Sequence, residues 1–143
     1  MADIYIVGFD GTDASERAAD HAADLARASG AALHFVLVLE WSPYSFLSQE
    51  ELAERHKRRE EELGRAEKVL EPVVARYSAT GISVTHEVRY GHAGEIIADI
   101  ATKKQAKQIV VGRQGSRKLR DRLLGGLTMA LVQVSPVPVT VVP

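Results

Sequence analysis

Three short stretches of this chain are apolar almost without a break: Ile4 to Phe9, Leu33 to Leu39 and Gln108 to Val111. A strand with water on one face alternates apolar and polar residues. An unbroken apolar run marks a strand covered on both faces. Segments of helical spacing separate these runs. Ala18, Ala22 and Leu25 recur at i, i+4 and i+7 within a helix expected from Ala14 to Ser29. Leu63, Ala66, Leu70, Val73 and Tyr77 stripe a second helical span from Gln49 to Tyr77. Ile96, Ile97 and Ile100 mark a third, from Ala93 to Thr102, and Leu127, Ala130, Leu131 and Val134 a last one. Ser83 to Tyr90 alternates, with Val84, His86, Val88 and Tyr90 on one side, so it reads as a half-exposed edge strand. Val137 to Val142 forms a final strand between Pro136 and Pro143.

Strands alternating with helices imply a parallel sheet. The expectation is therefore α/β: a single doubly wound domain over residues 1–143 with a five-stranded parallel sheet and helices on both faces. The three apolar strands belong in the middle and the alternating one at an edge, which the order 3-2-1-4-5 satisfies. That order puts a topological switch point between the first and fourth strands, and ligands bind at the carboxyl ends there. Those ends are Asp10 and Gly112.

Local signals punctuate the elements. Asp13 with Glu16 three residues on reads as a capping box, and Gly30 as the residue that ends the first helix. Pro72 predicts a kink or break in the second helical span. Glu40 to Phe46, with Trp41, Pro43 and Tyr44, reads as an irregular linker. Residues 50–62 are almost all charged, with Glu54/Arg58, Lys57/Glu61 and Arg58/Glu62 at i,i+4, so that half of the span should project into water.

Composition narrows the function classes. The net charge is −1, so no bulk attraction to nucleic acid or a membrane surface is expected. No apolar run is long enough to cross a bilayer. The chain enters directly into a strand-like run with no signal-peptide pattern, and it has no cysteine, which fits a cytoplasmic protein. His21, His34, His56, His86 and His92 show no metal-ligand spacing. There is no Ser-His-Asp set and no carboxylate pair, so neither catalytic nor metal residues are expected.

The chemistry concentrates after Val111. Gly112 and Gly115 flank Arg113 and are followed by Arg117, Lys118, Arg120 and Arg122, then Gly125-Gly126 opens a helix carrying Thr128. Glycines let backbone N–H groups turn toward an anion, and a helix N-terminus adds unpaired donors and positive potential. Neither G-x-x-x-x-G-K-[ST] nor G-x-G-x-x-G is present. The bland alternative is that Gly112 and Gly125 serve a tight strand-to-helix connection.

The spacing Gly112-x2-Gly115-x9-Gly125 resembles the ATP-binding motif of the universal stress protein family, with Gly126 where that family carries Ser or Thr. The resemblance extends to Val7-Gly8-Phe9-Asp10-Gly11-Thr12, to Gly91-x-Ala93 and to Pro136-Val137-Pro138-Val139-Thr140-Val141-Val142. It implies a homodimeric stress-response protein, a sensor or regulatory module, holding ATP or AMP, with Mg²⁺ compatible. By position, Asp10 would meet the ribose and adenine, with Gly8 and Phe9 also among the nucleotide-binding residues, Val38 the base, and Val111 and Gly112 the base and ribose. Gly115, Gly125, Gly126, Leu127 and Thr128 would meet the phosphates. The lesser alternative for Asp10 is a turn or N-cap residue, and for Val38 plain core packing is nearly as good a reading. The last strand, with Val137, Val139 and Val141, would pair two copies. The alternatives are an interaction protein of the same fold that binds no nucleotide, and a weak ATPase.

Overall fold

The computed structural model describes residues 2–40, 48–113 and 126–143. The elements run β1 (Ile4–Gly8), α1 (Asp13–Ser29), β2 (Ala32–Glu40), α2 (Gln49–Ser78), β3 (Val84–Gly91), α3 (Ala93–Lys104), β4 (Gln108–Gly112), α4 (Gly126–Val134) and β5 (Val139–Val142). The five strands form one parallel sheet in the order β3-β2-β1-β4-β5. The expected α/β fold, strand order and edge position of β3 are all present.

Strand alternation divides the core into two layers. Tyr5, Val7, Leu33, Phe35, Leu37 and Val110 face α1 and α2. Ile6, Val36, Ile109 and Val111 face α3 and α4, where Ile97, Ile100 and Leu131 meet them. The first layer is held close by small residues, because α1 buries Ala18, Ala19, Ala22, Ala23 and Ala26. Phe35 is fully buried, edge-on to Phe9 and stacked on Tyr77 of α2. The Tyr77 hydroxyl donates to Asp20, and burial with that bond pushes the phenol up to about 12.

Helix ends follow local chemistry, with one correction. The N-cap of α1 is Thr12, not Asp13: the Thr12 hydroxyl accepts from the Ser15 N–H. Both residue types cap well. Asp13 instead places its charge in the first turn, where the helix dipole favours it. Gly30 ends α1 in the left-handed conformation, φ 73°, as expected.

Three further expectations differ from the structure. Helix α2 is continuous over 30 residues, through Pro72, so of the expected kink or break the break is absent. Pro72 is exposed, so the carbonyl its missing N–H leaves unpaired can be hydrated, while Ala66, Leu70, Val73 and Tyr77 anchor both sides of it. Val134 is half exposed rather than part of the core stripe, because α4 ends there and Leu131 is its last buried residue. The last strand begins at Val139, since Val137 is tied into a turn by the Ser135 hydroxyl.

The charged start of α2 is mostly exposed, and Arg58 pairs with Glu54. Its next turns return to the sheet, where the Tyr90 hydroxyl donates to Glu62 at 2.6 Å and Arg59 lies over the Tyr90 ring. No helix among the described residues is long and apolar enough to cross a membrane.

A buried polar cluster joins β2 to the edge strand β3. His34, 3% exposed, bonds Thr85 Oγ1 through Nδ1 and Glu87 Oε2 through Nε2, both at 2.6 Å. A carboxylate only accepts, so Nε2 carries the proton and the Thr85 hydroxyl donates to Nδ1. Burial holds the imidazole below its ordinary value of 6.5, over the raising effect of Glu87 and with help from the charges of Lys104 and His86. Burial works to raise Glu87, but the bonds and charges of His34 and Arg89 hold it below 4.5. Both groups take up protons less readily folded than unfolded. Stability should therefore be level above pH 6.5, fall as His34 is titrated below that value, and fall again below 4.5. Urea midpoints from pH 8 to pH 4 test this. His34→Gln should remove the decline that begins near 6.5, and a decline unchanged in that variant would clear His34 of it.

Candidate functional site

Helices α1 and α4 leave β1 and β4 on opposite faces of the sheet, so a crevice opens at the carboxyl ends of these strands. A cavity of about 380 Å³ lies there. Its apolar walls are Val36, Val38, Ile97, Val111 and Leu127. Gly8, Gly112 and Gly126 bring backbone to the space, and Phe9 and Ala93 also line it. Among the described residues the polar side chains lining it are Asp10, Thr12 and Ser15. An apolar slot with a few convergent polar groups is the usual form of a small-molecule site.

The polar corner is built by the turn from β1 into α1. Phe9 still pairs with the sheet, its N–H donating to the Val36 carbonyl at 2.9 Å. Gly11 then takes φ 84°, a left-handed conformation that glycine adopts at no steric cost. The chain doubles back so that Asp10 Oδ1 accepts from both the N–H and the hydroxyl of Thr12, at 3.0 and 2.6 Å. Ser15 is buried, and its hydroxyl donates to the Thr12 carbonyl at 2.8 Å. Gly112 is there because of a close approach: a Cβ on it would lie 2.3 Å from the Ala14 carbonyl oxygen.

The structure gathers Gly8, Phe9, Asp10, Val38, Val111, Gly112, Gly126 and Leu127 around this one cavity. Thr128 is buried, 4% exposed, and does not line it. Gly115 and Gly125 lie outside the described residues, as do Arg117, Lys118, Arg120 and Arg122. Arg113 is exposed, and its backbone N–H closes onto Val142 at 2.7 Å. Sequence reasoning missed Thr12, Ser15, Val36, Ala93 and Ile97 as lining residues. Val36 was findable, since it shares a strand face with Val38. Ile97 was not, because nothing local says which helix closes the crevice. Among the described residues no group of three or more His, Asp or Glu could hold a metal ion.

Comparison with known proteins places these features in a family. The model of the universal stress protein family matches residues 1–143. Universal stress protein MJ0531 of Methanocaldococcus jannaschii is 29% identical over 137 residues, which cover 96% of this chain and 79% of that protein. The fold is similar to that of universal stress protein UspA from Lactobacillus plantarum, with a TM-score of 0.86 at 21% identity over 99% of this chain and 97% of the other. It is similar as well to a universal stress protein in complex with cAMP, with a TM-score of 0.71 at 24% identity over 99% and 96%. The universal stress protein from Archaeoglobus fulgidus in complex with dAMP gives 0.66 at 19% identity over 100% and 98%. With the family model spanning the chain and the fold agreeing with solved members, this chain belongs to the universal stress protein family.

Proposed function

We propose that this chain is an adenine-nucleotide-binding module that takes ATP or AMP in the crevice between β1 and β4 and acts as a homodimeric regulatory protein of a stress response. The observation that carries this reading is the cavity at the switch point, lined on one side by Asp10, Thr12 and Ser15 and on the other by Val38, Ile97 and Val111. An apolar slot suits a purine, and a carboxylate can accept from a ribose diol. Relatives of the same fold in complex with cAMP and dAMP support an adenine nucleotide as the ligand class. Among the described residues no group of carboxylates or histidines would hold a Mg²⁺ ion, so one arriving with a triphosphate would draw its ligands from phosphate and water. The described lining offers no histidine and no second carboxylate, which favours binding over efficient turnover.

Val38→Trp should fill the base end of the crevice. Calorimetry is expected to show ATP or AMP binding to the parent and none to this variant at an unchanged melting temperature. Equal binding by both would move the ligand out of this crevice. Gly126, standing where the family pattern has a hydroxyl, favours a second reading, an interaction protein without nucleotide. A parent that binds neither nucleotide would select it.

The dimer would form through β5. This strand lies at the sheet edge, Val139 and Val141 are half buried, and α4 beside it exposes Val132 and Val134. Such an edge can pair with a second copy about a twofold axis. Val139→Glu should give a monomer by light scattering at micromolar concentration, and a surviving dimer would have to use another surface.

A further inference from the structure

We propose that Thr12 is a positioning residue for the sugar of the bound nucleotide, holding the Asp10 carboxylate in the orientation that reads the ribose diol. This rests on the nucleotide reading above. Thr12 is engaged in two separate ways. As the cap of α1, its Oγ1 accepts from the Ser15 N–H at 3.2 Å, which uses a lone pair. Its one hydroxyl proton is not needed for the cap and goes to Asp10 Oδ1 at 2.6 Å, the nearer acceptor, with Ser15 Oγ at 3.4 Å. The Thr12 N–H reaches the same oxygen at 3.0 Å. The Ser15 hydroxyl and the Glu16 N–H hold the Thr12 carbonyl at 2.8 and 3.0 Å, so the donor is fixed at both ends of its residue. Thr12, Asp10 and Ser15 all line the cavity. Capping alone explains the bond from Ser15. The two bonds to Asp10 Oδ1 close the turn at Gly11 and in doing so fix that carboxylate beside the crevice.

The two roles separate by substitution. Thr12→Asp keeps a good cap but has no hydroxyl proton at neutral pH and repels Asp10. Thr12→Val loses both roles, and Thr12→Ser keeps both. The probes are AMP and 2′-deoxy-AMP, measured by calorimetry. The rotamer of Asp10 about χ1 is read from NMR couplings in the ligand-free protein. The parent should prefer AMP by roughly tenfold or more, the range for a hydrogen bond to a charged group. Thr12→Asp should lose that preference and let Asp10 sample more than one rotamer, while melting close to the parent. Thr12→Ser should restore both properties. A single Asp10 rotamer and an intact sugar preference in Thr12→Asp would overturn the proposal and leave Thr12 as a cap alone. A parent that binds neither probe overturns the nucleotide reading instead, and the ligand-free rotamers then still decide whether Thr12 orients Asp10.

Discussion

Gly112→Ala is expected to destabilise the protein by about 3 kcal/mol, the upper part of the range for forcing an atom into a filled space. The added Cβ would lie 2.3 Å from the Ala14 carbonyl oxygen, 2.4 Å from its carbon and 2.9 Å from the Ala14 Cβ. These are mostly backbone atoms of the first turn of α1, so no rotamer change relieves the clash. Either the end of β4 or the start of α1 must move. The start of α1 carries the Thr12 cap and the buried Ser15, and both line the crevice. Loss of stability should thus come with loss of ligand binding. For a domain of this size the melting temperature should drop by roughly 10 °C. Gly64→Ala is the matched control. Gly64 sits inside α2 with nothing within 4 Å of a Cβ, so the same atom there should stabilise by up to about 1 kcal/mol. Urea unfolding of both variants gives the comparison. A Gly112→Ala protein as stable as its parent would mean that α1 and β4 do not approach as described.

The fold was legible because its signal is redundant. Three strands buried on both faces and one alternating strand leave few ways to arrange a parallel sheet, and the crevice follows from the order. Contacts distant in sequence were not legible. Gly112 stood out as a glycine after a strand, but its reason lies in Ala14, far away in the chain. The choice of Thr12 over Asp13 as cap is a different case, decided within two residues. Local rules rank the two alike, and the turn at Gly11 decides, by handing Thr12 to Asp10. Thr128 carries a hydroxyl at a family position, yet its side chain is buried, because the orientation of a helix face is set by the sheet it packs on. Val134 continues the apolar spacing from Leu127 and Leu131, but the helix ends before the sheet can cover it.

Gly126→Ser should tighten ATP binding by roughly tenfold to hundredfold. Gly126 opens α4 and lines the crevice, so a hydroxyl added there stands at the helix start beside the cavity. A Cβ at this position meets nothing within 4 Å, and serine enters without displacing a neighbour. A hydroxyl donating to a phosphate is a hydrogen bond to a charged group, worth about 1.5–3 kcal/mol, which sets the fold-change. Serine is also at home at a helix start, so stability should not suffer. The gain should be larger for ATP than for AMP, because the family pattern places this hydroxyl among the phosphates. Gly126→Ala separates the hydroxyl from the added carbon, since it restricts the backbone and fills space in the same way but cannot donate. Calorimetry of the parent and both variants with ATP and AMP makes the comparison. A gain in the serine variant and none in the alanine variant assigns it to the hydroxyl. Equal ATP affinities in the two variants would put the phosphates somewhere other than the start of α4.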